Sequence, residues 1–101
     1  MIIVTGAVHA RPETLDELLA ASLAHVRRSR GEAGCISHSV QRDAEDPLRL
    51  FFYEEWESLE ALQVHFRQPG SGAFMKAARR LSAKSERLRV FSAEAAEIPR
   101  V

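Results

Sequence analysis

Between Ser29 and Trp56 the chain reads S-R-G-E-A-G-C-I-S-H-S-V-Q-R-D-A-E-D-P-L-R-L-F-F-Y-E-E-W, the stretch that most constrains how it folds. Gly31 and Gly34 end a helix, since glycine closes a helix at little steric cost. Cys35 to Asp43 reads as a strand, Ala44 to Pro47 as an acidic turn, and Leu48 to Trp56 as the returning strand. Two strands joined so tightly are antiparallel neighbours.

The flanks extend the pattern. Ile2 to His9 is β-branched and apolar on both parities, as in a strand buried on both faces. Pro12 breaks it. Thr14 and Glu17 have capping-box spacing, and Leu15, Leu18, Leu19, Ser22, Leu23 and Val26 recur at helical spacing, which predicts an amphipathic helix over Pro12 to Ser29. Ser58 is a natural N-cap, with Leu59, Leu62 and Phe66 as the buried stripe of a second helix. Gln68 to Gly72 interrupts that helix, which resumes over Ala73 to Leu81 with Phe74, Ala77, Ala78 and Leu81 inward. Leu88 to Glu94 is a last strand and Ile98 to Val101 a tail. The order βαββαβ defines a single α+β, ferredoxin-like domain over 1–101, an antiparallel four-stranded sheet with helices on one face.

That arrangement leaves one face of the sheet bare, yet Ile3, Ala7, Phe51 and Tyr53 have the parity opposite to Val4, Val8 and Phe52. Both faces are therefore apolar, and an exposed patch of that size is disfavoured in a monomer. A second copy packed sheet to sheet covers it, so a homodimer is expected.

Charge narrows the partners. Lys plus Arg and Asp plus Glu number 14 each, giving a net charge of zero, so neither nucleic acid nor an anionic membrane finds a basic surplus. The lone Cys35 excludes an internal disulfide and a multi-cysteine zinc site. Its neighbourhood lacks the basic groups that activate a thiol, and it reads as a small buried hydrophobe. No basic leader or apolar span is visible in the sequence, so a soluble cytoplasmic chain is expected. Gly31, Gly34, Gly70 and Gly72 lack the spacing of a nucleotide loop, and no His-x-x-x-His marks a metal. Neither a metal nor an organic cofactor is expected.

S-R-G-E-A-G-C with R-D, D-P-L-R-L-F-F-Y-E-E-W-E-S, and E-A-L-Q-V-H closely resemble the antibiotic biosynthesis monooxygenase superfamily, whose small members are often labelled quinol monooxygenases. The resemblance covers the middle third of the chain. It implies a face-to-face dimeric α+β barrel and cofactor-free oxygenation of reduced quinones or anthrones, in which the substrate's electron-rich ring reacts with oxygen. The protein supplies a dry pocket, a base and orientation.

Carried over by residue, His65 matches the E-A-x-x-x-H histidine and is the candidate base, or else a half-buried histidine bonded to a backbone carbonyl. His38 stands where the family has tyrosine, between Ile36 and Val40, and is either a second proton-handling group or a satisfied core residue. Trp56 matches the tryptophan lining the cavity of anthrone monooxygenases, and is a pocket wall or a structural aromatic at the sheet edge. The polar partners it has there are Phe52 and Leu62 here. His25 resembles, about one residue out of register, a histidine of the autoinducer-processing isomerases. Phe52 and Phe74 complete the apolar wall. Haem degradation is excluded on the same grounds: its residues fall on Gly6, His65, and Ala78 or Arg79. The second histidine of the family's S-P-H-F segment is missing from Q-P-G-S-G-A-F. Arg42 and Asp43 are structural and pair across the hairpin with Arg49. The competing expectations are an oxygenase of a small hydrophobic quinol-like or polyketide-type aromatic, an isomerase of a small carbonyl compound, and a non-catalytic or stress-linked dimer that binds a small hydrophobic molecule.

Overall fold

The computed structural model describes residues 1–100. It contains β1 (Ile2–Ala10), α1 (Leu15–Ser29), β2 (Cys35–Arg42), β3 (Arg49–Trp56), α2 (Leu59–Arg67), α3 (Pro69–Leu81) and β4 (Ser82–Ser92). The strands form one antiparallel sheet in the order β2-β3-β1-β4, the ferredoxin-like α+β fold. β1 and β3 run through its centre, paired from Ile2 with Trp56 to His9 with Arg49.

This register fixes which side chains meet the helices. Leu50, Phe52, Glu54 and Trp56 alternate along β3 onto the covered face, opposite Val8, Gly6, Val4 and Ile2 of β1. Two apolar clusters grow from them. Leu18 and Val26 of α1 pack with Leu50, Phe52, Ala78 and Leu81, while Leu62 of α2 packs with Ile2, Val4 and Trp56. Each fully buried leucine or valine among them contributes about 1.5–3 kcal/mol relative to exposure.

Five local expectations are corrected. The break in the helix is confined to Gln68, whose backbone is extended: Pro69 takes the first position of α3, where its missing N–H costs nothing, and Gly70 to Gly72 form the first turn. Thr14 makes no capping box. Its hydroxyl donates to the Leu81 carbonyl at 2.6 Å and accepts from Arg11 N–H at 3.0 Å, tying the start of α1 to the end of α3, and the helix begins only at Leu15. Leu59 and Phe66 are 53% and 48% exposed, because α2 turns Leu62 and His65 inward instead. β4 begins at Ser82, six residues before its apolar stretch, because Ser82 to Glu86 pair with Ala7 to Ala10 of β1 whatever their side chains. Ile36 is 51% exposed, since a register shift between Cys35 and Ser37 breaks its parity with His38 and Val40.

Other expectations hold. Ser58 accepts from Ala61 N–H at 3.1 Å as the N-cap of α2, and Arg49 meets Asp43 at 3.2 Å across the hairpin. Gly34 has φ +82° and stands against the Cβ of Ala61, so the turn from α1 into β2 requires a residue without a side chain. None of the helices among the described residues is long and apolar enough to cross a membrane.

Candidate functional site

Three histidines far apart in sequence converge under the helices. His25 comes from the last turns of α1, His38 from the middle of β2, and His65 from the end of α2. All three are buried, their ring centroids are 5.3–5.5 Å apart, and one nitrogen from each lies within 4.8 Å of the others. No sequence spacing announced this group.

Each ring is held differently. His65 donates from Nδ1 to Glu32 Oε1 at 2.8 Å, while its Nε2 stands 4.0 Å from Glu54 Oε1. Its backbone carbonyl accepts from the buried Ser71 hydroxyl at 2.6 Å, which binds the end of α2 to the start of α3. Its ring is therefore bonded to a carboxylate rather than to a backbone carbonyl. His25 accepts at Nδ1 from the exposed Arg28 guanidinium at 2.6 Å and stacks on Phe74 at 4.4 Å, nearly parallel. His38 has neither: both its ring nitrogens are buried without a hydrogen-bond partner. Glu54 Oε1 lies 3.4 Å from its Nε2 but not in hydrogen-bonding alignment. The satisfied core histidine expected as one reading of His38 is thus overturned, because no donor or acceptor reaches it.

Electrostatics follows from this burial. Desolvation lowers the pKa of His25 to about 4, aided by His65 and Arg28. It lowers that of His38 to about 3, aided by the two other histidines and by Arg30 and Arg28. Both rings are neutral at pH 7, with their lone pairs free of protons. Burial also raises Glu54 above the usual carboxylate range, against the lowering effect of the Trp56 hydrogen bond. Cys35, half-buried rather than fully so, has its thiol pushed up by desolvation and then by Glu32 and Glu54, which disfavours the thiolate.

Two of the three histidines, His25 and His65, line a cavity of about 510 Å³ between α2, α3 and β4. Among the expected site residues, His25, His65, Phe52 and Phe74 line it. Trp56 and His38 do not. Trp56 is fully buried, its ring 4.7 Å from His65, and its Nε1 donates to Glu54 Oε1 at 2.9 Å. It lies behind the wall rather than forming it, because the alternation of β3 carries its indole beneath α2. Sequence reasoning missed Glu54 and Glu32. Glu54 shares the parity of Phe52 and Trp56, a signal that was available. Glu32 sits in the α1–β2 connection, where nothing in the pattern points to it.

Residues 1–77 match the model of the family described as antibiotic biosynthesis monooxygenase. The uncharacterized protein sll1783 of Synechocystis sp. is 31% identical over 90 residues, which are 89% of this chain and 61% of that one. The chain thus spans about three-fifths of the length of that relative. Among solved structures, a candidate antibiotic biosynthesis monooxygenase from Deinococcus radiodurans is 26% identical over all of this chain and 98% of its own, with a TM-score of 0.83. Rv0793 from Mycobacterium tuberculosis is 22% identical, covers 94% of this chain and 96% of its own, and has a TM-score of 0.86.

Proposed function

Because the chain belongs to the antibiotic biosynthesis monooxygenase family, we propose that it is a monooxygenase-type enzyme acting on a small hydrophobic, quinol-like aromatic. The observation that carries this reading is His65: its ring lines an otherwise largely apolar cavity, and its Nδ1 is fixed on Glu32. A carboxylate behind an imidazole orients the ring and strengthens its outer nitrogen as a proton acceptor. The stacked pair of His25 and Phe74, with Phe52, gives a flat wall for a planar ring.

In this reading His65 takes the phenolic proton, and the substrate anion supplies all the electrons for oxygen. One oxygen atom enters the ring and the other leaves as water, carrying two hydrogens from the substrate, so the balance needs no organic cofactor. Glu54, held by the Trp56 indole N–H, lines the same cavity beside the histidines. A second reading, a binder without turnover, is favoured by Phe52, which puts a hydrocarbon where the anthrone-type mechanism needs an amide.

The homodimer belongs to the same proposal. Ile3, Phe51 and Tyr53 remain half-buried on the helix-free face of the sheet, and Phe91, paired with Ile3, is 38% exposed. A second copy on this face removes that apolar surface from water.

The test is oxygen consumption by chelator-treated protein with a panel of hydroquinones and anthrones. Turnover that falls about 10²- to 10⁴-fold in His65→Ala supports the oxygenase. No uptake with any member, together with ligand-induced thermal stabilisation, moves the assignment to the binder.

A further inference from the structure

We propose that His25, His38 and His65, with Glu54 beside them, form a binding site for one divalent first-row transition-metal ion. The inference does not rest on the oxygenase reading, and its test needs neither substrate nor oxygen.

Three observations converge. Three imidazoles present a nitrogen each within 4.8 Å of one another, and the Glu54 carboxylate lies 3.4 Å from His38 Nε2 and 4.0 Å from His65 Nε2. Three imidazole nitrogens and one carboxylate are a donor set that borderline divalent ions prefer. His38 is buried with both nitrogens unpartnered, a state that costs stability unless something fills it. The Glu32–His65 pair reproduces the carboxylate that commonly stands behind a metal-bound histidine, fixing the tautomer and freeing Nε2.

Loading demands two movements. In a tetrahedral complex, ligand nitrogens stand about 3.3 Å apart, so the rings must draw together. Arg28 must also leave His25 Nδ1, because the nitrogen that accepts from the guanidinium forces the proton onto the other one. Arg28 belongs to the exposed side of α1, but its guanidinium packs against Gly70 and His25, and it must give up both contacts to swing into water. Metal and substrate proton both require the lone pair of His65 Nε2, so the loaded protein cannot use that ring as a base.

The decisive measurement is titration of chelator-stripped protein with Co²⁺ alone, followed by d–d absorption and equilibrium dialysis. One ion per chain, with tetrahedral bands, is expected. His38→Leu is expected to remain folded, because an apolar side chain suits that position, and to weaken binding at least 100-fold. Glu32→Gln is expected to weaken it about 10-fold, in line with the loss of a partner behind a ligand. Arg28→Met, which removes both the competing donor and a nearby positive charge, is expected to tighten it several-fold. His9→Gln, at a surface histidine, is expected to change nothing. Absence of saturable one-to-one uptake by the wild type overturns the proposal. So does uptake that survives His38→Leu, or that is abolished by His9→Gln. Oxygen uptake by the stripped protein is read separately, so failure of either reading leaves the other standing.

Discussion

The molecule places histidine beside carboxylate in two regions, and the outcomes are opposite. On the surface, His9 Nε2 meets Glu86 Oε2 at 2.7 Å, and Arg49 grips both Glu86 oxygens at 2.6 and 2.8 Å. Every charge there has a counter-charge, and Arg49, followed by His9, pulls the Glu86 pKa down to about 2. Beneath the helices, His38 and Glu54 stand 3.4 Å apart, but burial drives both toward their neutral forms. At the surface Arg49 grips the carboxylate beside the histidine in a charged clasp, whereas beneath the helices His38 is left without a hydrogen-bond partner. Burial, rather than composition, decides which chemistry a histidine–carboxylate pair can perform.

Disrupting the inner region should cost most. Trp56→Ala removes the largest fully buried side chain and the donor that holds Glu54, and is expected to lower stability by about 3–5 kcal/mol in urea unfolding. A loss below about 1 kcal/mol would show that the helices do not depend on this indole.

Next comes acid. Between about pH 6.5 and the lowered values of His25 and His38, the unfolded chain binds protons that the folded chain refuses, so stability rises with pH across that window. Metal-free protein is therefore expected to lose stability steeply as pH falls from 6.5 toward 4, and His38→Leu should flatten the profile. At neutral pH that variant should be about 1–2 kcal/mol more stable than wild type, since an unpartnered buried polar group is replaced by an apolar one.

The outer region predicts the smallest effect and a different window. Glu86 has a lowered folded pKa, so its contribution is complete above the usual carboxylate value and lost as pH falls through about 2. Glu86→Gln should flatten the profile only below about pH 4.5, and its effect should shrink in 1 M salt, which screens exposed pairs but not the buried cluster. Equal salt sensitivity of the two regions would remove the distinction between them.

The contrast also explains what was legible in the sequence. The strands and the α1 stripe could be read because local periodicity and burial agree, as in Leu50, Phe52 and Trp56 or Leu18 and Val26. Ser82 to Glu86 could not, because their place in β4 comes from the free edge of β1 and not from their own side chains. His65, Phe52 and Phe74 were found at the cavity because a motif or an apolar pattern marked them. The grouping of His25, His38 and His65 was not visible: it arises from the packing of α1, β2 and α2, which no spacing along the chain encodes. Arg28 and Glu32 act on that group from the end of α1 and the following connection, where the sequence reads as ordinary solvated charge.

That each imidazole is carried by a separate element has a kinetic consequence. No hairpin or helical fragment assembles the trio, so anything that engages all three rings at once engages only a chain whose helices have already docked on the sheet. Such contacts are expected to form only after the transition state for folding has been crossed. An occupant of the cluster should therefore leave the refolding rate untouched and retard unfolding alone, lengthening the lifetime of the native protein without hastening its formation.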